Sequence, residues 1–234
     1  MKLSVVIPCF NEEKTLSEIV TRVLNADICG LDREILIVDD HSSDASPEIA
    51  RGLADGHLEV RFLSHPSNLG KSAALRTGFK ALSGDIVVVQ DADLEYAPED
   101  FAAIVAPLAS ATADVVYGSR FLDRSRVRFL GFTHRFGNQV LTALSNAVTG
   151  LRLTDMSTCY KAFRADLLND MVLREDRFGF CPEFTAKAAR RRPRLRWREV
   201  PVGYVCRTYA EGKKINWRHG VRAVYCIFRY GWFP

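Results

Sequence analysis

The chain lacks several features that mark large classes of protein. Its six cysteines are scattered without a Cys-x-x-Cys pair, which argues against a zinc knuckle or a disulfide framework and favours a reducing compartment. No stretch approaches the roughly 20 apolar residues that cross a bilayer. The nearest, residues 221–233, is shorter and contains Arg222 and Arg229. Because the first residues also lack a secretory signal pattern, the sequence predicts a cytoplasmic protein without a transmembrane segment.

Two common nucleotide-binding motifs are also missing. There is no GxGxxG after the first predicted strand and no GxxxxGK[ST], which argues against ordinary dinucleotide and P-loop sites. The chain has no internal repeat and no long linker. With 234 residues, 47% of them hydrophobic, it is long enough to bury a full core. We therefore expect one domain over residues 1–234.

The charge is distributed unevenly. The net charge of +4 hides 9 Lys/Arg against 19 Asp/Glu in residues 1–119, and 23 against 9 in residues 120–234. The halves therefore carry −10 and +14. This polarity predicts an acidic, metal-binding half joined to a basic half that faces anions.

The first half alternates strand-like and helix-like segments. Apolar runs of strand length occur at residues 3–7, 34–40, 58–63, 85–90 and 113–118. Predicted helices lie at 12–26, 44–54, 70–82 and 98–108. Such alternation predicts an α/β fold with a mostly parallel central sheet flanked by helices, with ligands at the carboxyl ends of the strands.

The second half is less regular. Helices are predicted at 132–149 and 182–192, with an amphipathic helix at 217–229. Strand-like segments occur at 158–163, 195–200 and 202–207.

The segment 87–96, VVVQDADLEY, ends a predicted buried strand in three carboxylates. Alternate residues of an extended backbone point the same way, so Asp91, Asp93 and Glu95 can converge on one point. Buried carboxylates need positive charge, and Mg²⁺ or Mn²⁺ would supply it while leaving positions for substrate phosphates. A solvated acidic turn is the alternative.

Polar residues recur after the other predicted strands. They are Pro8, Asn11 and Glu12 after the first, Asp39 and Asp40 after the second, and Asn68, Gly70 and Lys71 after the third. Groups that converge at one edge could hold a base, a ribose and a diphosphate.

Several segments, taken in order, resemble family 2 glycosyltransferases with the GT-A fold. They are VVIPCFNEE, LIVDDHSSD, NLGKSAALRTGF, VVVQDADLEY, GSRF and DMSTCYKAFR. Within that family, the last segment and RTYAEGKKINWRHG look most like polyprenyl-phosphate glycosyltransferases of the dolichol-phosphate mannosyltransferase type. The resemblance implies a metal-dependent, inverting transfer of a hexose from a UDP- or GDP-sugar to a polyprenyl phosphate.

The resemblance also implies residue roles. The nucleotide sugar would contact Pro8, Asn11, Glu12, Asp40, Lys71, Arg76 and Asp91, and the metal would contact Asp91, Asp93 and Glu95. The acceptor phosphate would contact Arg120, Arg135, Arg207, Lys213 and Lys214, with Asp93, Arg120 and Arg207 as catalytic residues. Related sequences often have Gln at position 95 and FEPE where this chain has FCPE with Cys181.

Structural roles remain open for several of these residues. Arg76 could be a solvated helix residue, and Arg120 could form a structural ion pair. Asp155 and Glu183 could satisfy loop amides or pair with arginine. The cluster Arg124, Arg126 and Arg128, together with Arg135, could face lipid headgroups or the acceptor phosphate, or form solvated surface.

The acceptor class determines whether a general base is needed. A phosphate monoester carries an ionised oxygen at neutral pH, so it can attack the anomeric carbon without a base and invert it. Transfer to a glycan or other hydroxyl acceptor is the first alternative. A remote alternative is nucleic-acid binding through RRRPRLRWR at 190–198, where Trp197 could stack on bases.

A lipid acceptor would require membrane contact. The basic half and the ending at 225–234, YCIFRYGWFP, could rest on the anionic inner face of the cytoplasmic membrane. A helix packed on the domain is the alternative.

Overall fold

The computed structural model describes residues 1–128, 131–191, 194–207 and 217–233. Seven α-helices lie in these ranges: α1 Leu16–Asn25, α2 Ser46–Gly56, α3 Lys71–Ala81, α4 Phe101–Ala109, α5 Phe132–Thr149, α6 Phe180–Ala189 and α7 Trp217–Trp232. The strands are β1 Lys2–Cys9, β2 Asp32–Asp39, β3 Val60–Ser64, β4 Ile86–Val89, β5 Val115–Ser119, β6 Val127–Arg128, β7 Lys161–Arg164, β8 Trp197–Pro201 and β9 Tyr204–Val205. The predicted order of helices and strands is confirmed.

A seven-stranded sheet organises both halves of the chain. Its order is β3-β2-β1-β4-β7-β5-β8. Strand β7 is antiparallel to both its neighbours, and the other pairs in this sheet are parallel. The mostly parallel sheet is therefore confirmed.

Helices cover both faces of this sheet, because side chains alternate along each strand. In β1, Leu3, Val5 and Ile7 join a buried cluster with residues of α1, α2 and α4. Val6 points to the opposite face and joins a second cluster with residues of α3, α6 and α7. Strands buried on both faces appear in the sequence as continuous apolar runs, and these runs identified them.

The insertion of β7 between β4 and β5 could not be read from the sequence. The predicted strand at 158–163 begins later, at Lys161, because the residues before it form a loop. The fully buried Lys161 ammonium donates to the carbonyls of Met156 and Thr158, at 2.7 and 2.8 Å. This cation satisfies loop carbonyls that would otherwise be buried without donors.

The last helix packs on the domain through a buried carboxylate. Glu175 accepts two hydrogen bonds from the Arg222 guanidinium, both 2.9 Å, and one from the Tyr230 hydroxyl at 2.8 Å. The buried side of α7 also includes Ala223, Cys226 and Ile227. Among the described residues, no helix combines the length and apolarity that would let it cross a membrane.

Helix α3 lies close to β1 at a glycine. A β-carbon added to Gly78 would overlap the Val6 side chain. We expect Gly78→Ala to lower the free energy of unfolding by about 1–3 kcal/mol, since overpacking forces a core to shift. Urea denaturation measures this change.

Gly52 in α2 is the matched control. It is exposed, and an added β-carbon would have no atom within 4 Å. Gly52→Ala should therefore raise stability by about 0.5–1 kcal/mol through helix propensity. Equal effects of the two substitutions would contradict the close packing of α3 on β1.

Candidate active site

A cavity of about 620 Å³ opens where β1, β2 and β4 end. Parallel strands bring the loops that follow them to one edge of the sheet. The polar residues that line it include Glu12, Asp40, Asn68, Lys71, Asp91, Asp93, Glu95, Arg120 and Arg207. The cavity continues toward α5 and α7, where Leu141, Phe178 and Ala223 are among its lining residues.

Five acidic side chains line the cavity, and two cations pair with three of them. The Lys71 ammonium pairs with Asp91. The Arg207 guanidinium donates to both oxygens of Glu12, at 2.9 and 3.1 Å, and to Asp93 at 2.8 Å. Glu95 accepts from the Arg207 backbone amide at 2.9 Å and the Tyr204 hydroxyl at 2.8 Å. A basic segment from the second half therefore binds the acidic loops of the first.

The segment that carries Arg207 is fixed by backbone pairing. Val205 donates to the carbonyl of Glu95 at 2.9 Å, and Cys206 donates to the carbonyl of Arg128 at 3.1 Å. Strand β9 pairs with the short strand β6. These bonds explain how a residue far along the chain reaches the loop after β4.

Asp93 is held in an electronegative environment. Burial, and then the charges of Asp91 and Glu95, raise the pKa of Asp93 to about 7, although Arg207 opposes the shift. The Arg207 guanidinium, which Asp93 shares with Glu12, does not fully compensate the negative charge of these carboxylates. Added positive charge near Asp93 would therefore be stabilising.

The predicted geometry of the three metal ligands is wrong. Strand β4 ends at Val89, so Asp91, Asp93 and Glu95 lie in a bent loop and not on an extended backbone. Across the described ranges, no group of three His, Cys, Asp or Glu side chains is arranged to hold a metal ion. The Glu95 carboxylate is taken by Tyr204 and Arg207. The remaining donors, Asp91 and Asp93, are hard oxygen ligands that suit Mg²⁺ or Mn²⁺, and the raised pKa of Asp93 shows that the loop can accept more positive charge.

Asp40 positions the loop before α3. One of its oxygens accepts from His65 and the Leu69 amide, and the other from Asn68 and the Gly70 amide, at 2.7–2.9 Å. Asp40 lines the cavity, but its carboxylate organises the neighbouring backbone. Sequence analysis missed His65, because a lone histidine after a strand carries no recognisable motif.

Lys71 begins α3 at the centre of the cavity. Although burial opposes its charge, Asp91 holds the pKa of Lys71 above the ordinary value. The ammonium also donates to Cys159 Sγ at 3.2 Å. Lys71 therefore remains positively charged beside the acidic loop.

Arg120 is buried in an ion pair. Its Nε and one terminal nitrogen donate to the two oxygens of Asp155, at 2.7 and 2.9 Å. The guanidinium carbon also lies 5.1 Å from the centre of the Tyr204 ring. The structural ion pair considered from the sequence is present, and Arg120 still lines the cavity.

Several predicted site residues lie elsewhere. Asn11 accepts from the Ser43 amide at 2.8 Å and does not line the cavity. Arg76 binds the carbonyl of Glu175 and the carboxylate of Asp176, so its assignment to the nucleotide site is replaced by a structural ion pair. Arg135 lies in the first turn of α5, outside the cavity wall. Lys213 and Lys214 lie outside the described residues.

Other arginines and carboxylates have structural roles. Glu183 accepts from the amides of Arg174 and Glu175, at 2.7 and 2.8 Å. Arg126 binds Asp100 and the carbonyl of Pro201. These contacts confirm the structural alternative for Glu183 and show that Arg126, for which solvated surface was the alternative, forms an ion pair within the fold.

The nucleic-acid interpretation of 190–198 does not fit the described part of this segment. Trp197 belongs to β8 and packs edge-on against Tyr117, with ring centres 5.5 Å apart. Arg196 donates to both oxygens of Asp114. The aromatic ring and the guanidinium are therefore engaged within the fold.

Sequence analysis also missed part of the cavity wall. Tyr204, Cys159, His134 and His219 line it and were not assigned to the site. Cys181 also lines the cavity, and the FCPE departure was the sequence signal for it. His134 of α5 and His219 of α7 could not be assigned, since only the tertiary packing brings these helices beside the strand ends.

Comparison with known proteins decides the family. Residues 4–172 match the family model "Glycosyl transferase family 2". The chain belongs to glycosyl transferase family 2. This membership was predicted from the motifs and is confirmed.

Curated relatives share most of the chain. The undecaprenyl-phosphate 4-deoxy-4-formamido-L-arabinose transferase of Edwardsiella ictaluri is 34% identical over 214 residues, which are 90% of this chain and 62% of that protein. The protein of the same name from Salmonella paratyphi B is 32% identical over 216 residues, 91% of this chain and 62% of that protein. The chain thus spans about 62% of the length of these relatives.

Solved structures share the fold. Glucosyl-3-phosphoglycerate synthase from Mycobacterium tuberculosis, in complex with Mn²⁺, UDP and phosphoglyceric acid, has a TM-score of 0.75 and 22% identity, covering 100% of this chain and 79% of its own. A mannosyltransferase from Pyrobaculum calidifontis, in complex with GDP-Man and Mn²⁺, has a TM-score of 0.64 and 21% identity, covering 97% and 62%. The predicted GT-A fold of this chain is confirmed.

The pKa of Asp93 predicts a pH effect on stability. Between about pH 4 and 7 the folded protein keeps a proton that the unfolded chain has lost, so its free energy of unfolding falls as pH rises. Asp93→Asn removes this titration. Its stability relative to the native protein should therefore increase from pH 4 to pH 8, as measured by urea denaturation with EDTA present.

Glu99→Gln is a control of opposite sign. A hydrogen bond from Arg22 lowers the pKa of Glu99, so this carboxylate stabilises the fold at pH values above its unfolded pKa. Glu99→Gln should lose relative stability as pH rises through the acidic range. A pH-independent difference between Asp93→Asn and the native protein would contradict the environment described for Asp93.

Proposed function

We propose that this chain is a metal-dependent, inverting glycosyltransferase that moves a sugar from a nucleotide sugar to a polyprenyl phosphate. The observation that carries the proposal is the cavity at the strand ends, where the carboxylates of the β4 loop face Lys71 and Arg207. Membership of family 2 and the names of the 32–34% identical relatives support it. We also propose that residues 1–234 act as one transferase domain.

The donor diphosphate would lie beside the loop after β4. Asp91 and Asp93 would hold Mg²⁺ or Mn²⁺, which stabilises a departing diphosphate when bound. Lys71 would neutralise a phosphate oxygen. Pro8 and Glu12 would line the nucleoside side, and Asp40 would keep the Asn68–Gly70 backbone in place.

The acceptor phosphate would meet the arginines of the second half. Arg120 and Arg207 lie at the cavity, and a guanidinium suits phosphate oxygens because its donors form a planar fork. The phosphate supplies its own nucleophilic oxygen, so the transfer needs positioning and charge compensation more than proton transfer. Arg207 would turn from Glu12 and Asp93 toward the phosphate as the substrates bind.

The identity of the transferred sugar is a separate part of the proposal. The resemblance to dolichol-phosphate mannosyltransferases favours a hexose, whereas the relatives described above are named as transferases of an arabinose derivative. We propose a hexose donor linked to UDP or GDP and test the arabinose derivative beside it.

The direct experiment is a donor and acceptor panel. Purified protein is incubated with UDP- and GDP-sugars, Mg²⁺ or Mn²⁺, and a short polyprenyl phosphate. We expect a lipid-linked sugar phosphate in the organic phase by mass spectrometry, with inverted anomeric configuration by NMR. A glycosylated product found only with hydroxyl acceptors would favour the alternative transfer.

Asp93→Asn is the matched variant for this experiment. Transfer should fall by more than about 100-fold. Loss of a residue that only hydrogen-bonds to a metal ligand costs about 10- to 100-fold, and loss of the ligand itself should cost more. Glu99→Gln, an exposed carboxylate paired with Arg22, should keep full activity. Near-native transfer by folded Asp93→Asn at saturating metal would contradict the assignment of Asp93 as a metal ligand.

We further propose that the chain works at the inner face of the cytoplasmic membrane, in contact with the lipid surface. Helices α5 and α7 pack together and expose large apolar side chains. These are Phe136 and Val140 on α5, and Val221, Tyr225 and Trp232 on α7, followed by Phe233. The +14 charge of residues 120–234 would favour anionic lipids.

Liposome binding tests the membrane contact. Trp232→Ala with Phe233→Ala should weaken sedimentation with anionic vesicles by about tenfold or more, because burial of each aromatic side chain contributes about 1.5–3 kcal/mol. Leu58→Ala is the control, since Leu58 is fully exposed before β3, at the opposite end of the strands. No sedimentation of the native protein at low salt would exclude this contact.

A further inference from the structure

Two cysteines lie together in the cavity wall. Cys159 belongs to the loop before β7, and Cys181 belongs to the first turn of α6. The Cys181 thiol donates to the carbonyl of Thr158, the residue before Cys159, at 3.4 Å. Interaction between the two thiols raises the pKa of Cys159 and lowers that of Cys181. Both side chains are partly exposed, so a small reagent in the cavity can reach them.

Two lysines surround this pair. Lys71 donates to Cys159 Sγ at 3.2 Å. Lys161, which is fully buried, binds the same Thr158 carbonyl as Cys181, at 2.8 Å. The interaction with Cys159 lowers the pKa of Cys181, burial opposes this, and the charges of Lys161 and Lys71 add to it. A thiolate at Cys181 is the form that reacts with electrophiles.

We propose that Cys159 and Cys181 form a dithiol that a peroxide oxidises to a disulfide in the cavity wall. Nothing in the proposed transfer reaction uses these thiols, so the inference goes beyond that function. A disulfide of this kind in a reducing compartment is transient and acts as a redox sensor.

The two steps balance with hydrogen peroxide as oxidant. The Cys181 thiolate attacks one peroxide oxygen, an S–O bond forms, the O–O bond breaks, and the released hydroxide takes up a proton as water. Cys159 sulfur then attacks the sulfenic sulfur, an S–S bond forms, the S–O bond breaks, and a second water leaves. Two thiols lose two electrons in total, and one peroxide becomes two waters.

Three other cysteines are placed less favourably. Burial, and then the charge of Asp39, raise the pKa of Cys9 to about 12. Burial, and then the charge of Glu175, raise the pKa of Cys226 to about 12. Cys29 is exposed, but burial of its sulfur and then Asp27 raise its pKa, and its thiol donates to the carbonyl of Ala102. Oxidation should therefore begin at the Cys159–Cys181 pair.

The disulfide would join two segments that hold Lys71. The residues before Cys181 bind the first turn of α3: Ser72 and Ala73 donate to the carbonyls of Arg177 and Asp176, both at 2.9 Å. Lys71 starts the same helix and would lose its thiol partner. Oxidation would thus change the surroundings of the ammonium that pairs with Asp91.

Peptide mapping tests the proposal without measuring sugar transfer. The full chain is treated with increasing hydrogen peroxide, blocked with N-ethylmaleimide and digested without reduction. We expect a Cys159–Cys181 linked peptide that appears before modification of Cys29 and disappears with dithiothreitol. Oxidation at Cys29 first, with no linked peptide, would overturn the proposal, whatever the outcome of the donor panel.

Single substitutions test the order of the steps. In Cys159→Ser the sulfenic acid at Cys181 has no second sulfur, so dimedone should label Cys181. In Cys181→Ser the attacking thiolate is absent, and Cys159 should stay unlabelled at the same peroxide dose. Cys29→Ser should form the linked peptide as the native protein does, and thermal unfolding checks that each variant is folded. Dimedone labelling of Cys159 in Cys181→Ser equal to that of Cys181 in Cys159→Ser would contradict the assigned order.

Discussion

The site depends on the compensation of buried negative charge at the edge of the sheet. Glu12, Asp91, Asp93 and Glu95 come from loops that parallel strands bring together, and ionised carboxylates cannot stay there without positive partners. Lys71 and Arg207 supply that charge. The pKa of Asp93 remains raised, which shows that the compensation is incomplete. A group that brings further positive charge would stabilise this loop.

The same interaction explains why the chain is divided into an acidic and a basic half. Arg207 reaches Glu12 and Asp93 because β9 pairs with β6 and Val205 of β9 donates to the carbonyl of Glu95 in the β4 loop. Arg120 pairs with Asp155 inside the basic half and stays at the cavity. Carboxylates of the first half and arginines of the second half therefore line one cavity.

The parts that sequence could predict are those that depend on local patterns. Continuous apolar runs identified β1, β2 and β4, and residues after these strands do line the cavity, as Glu12, Asp40 and Asp91 do. The bent conformation of the 91–95 loop was not predictable, because alternation holds only on an extended backbone. Arg76 was misassigned because its partner, Asp176, is distant in sequence. Tyr204 and the cavity walls of α5 and α7 likewise depend on tertiary packing.

The contacts of Arg207 imply a linkage between metal and substrate in the proposed reaction. In that reaction, a cation held by Asp91 and Asp93 would share their carboxylates with Lys71 and Arg207 and would weaken these two ion pairs. A diphosphate and an acceptor phosphate then offer new anionic partners to the two side chains. These phosphate contacts would offset the weakened ion pairs, so the proposal implies that metal binding and phosphate binding favour each other. The ion pairs of Lys71 and Arg207 already offset part of the negative charge of the cavity.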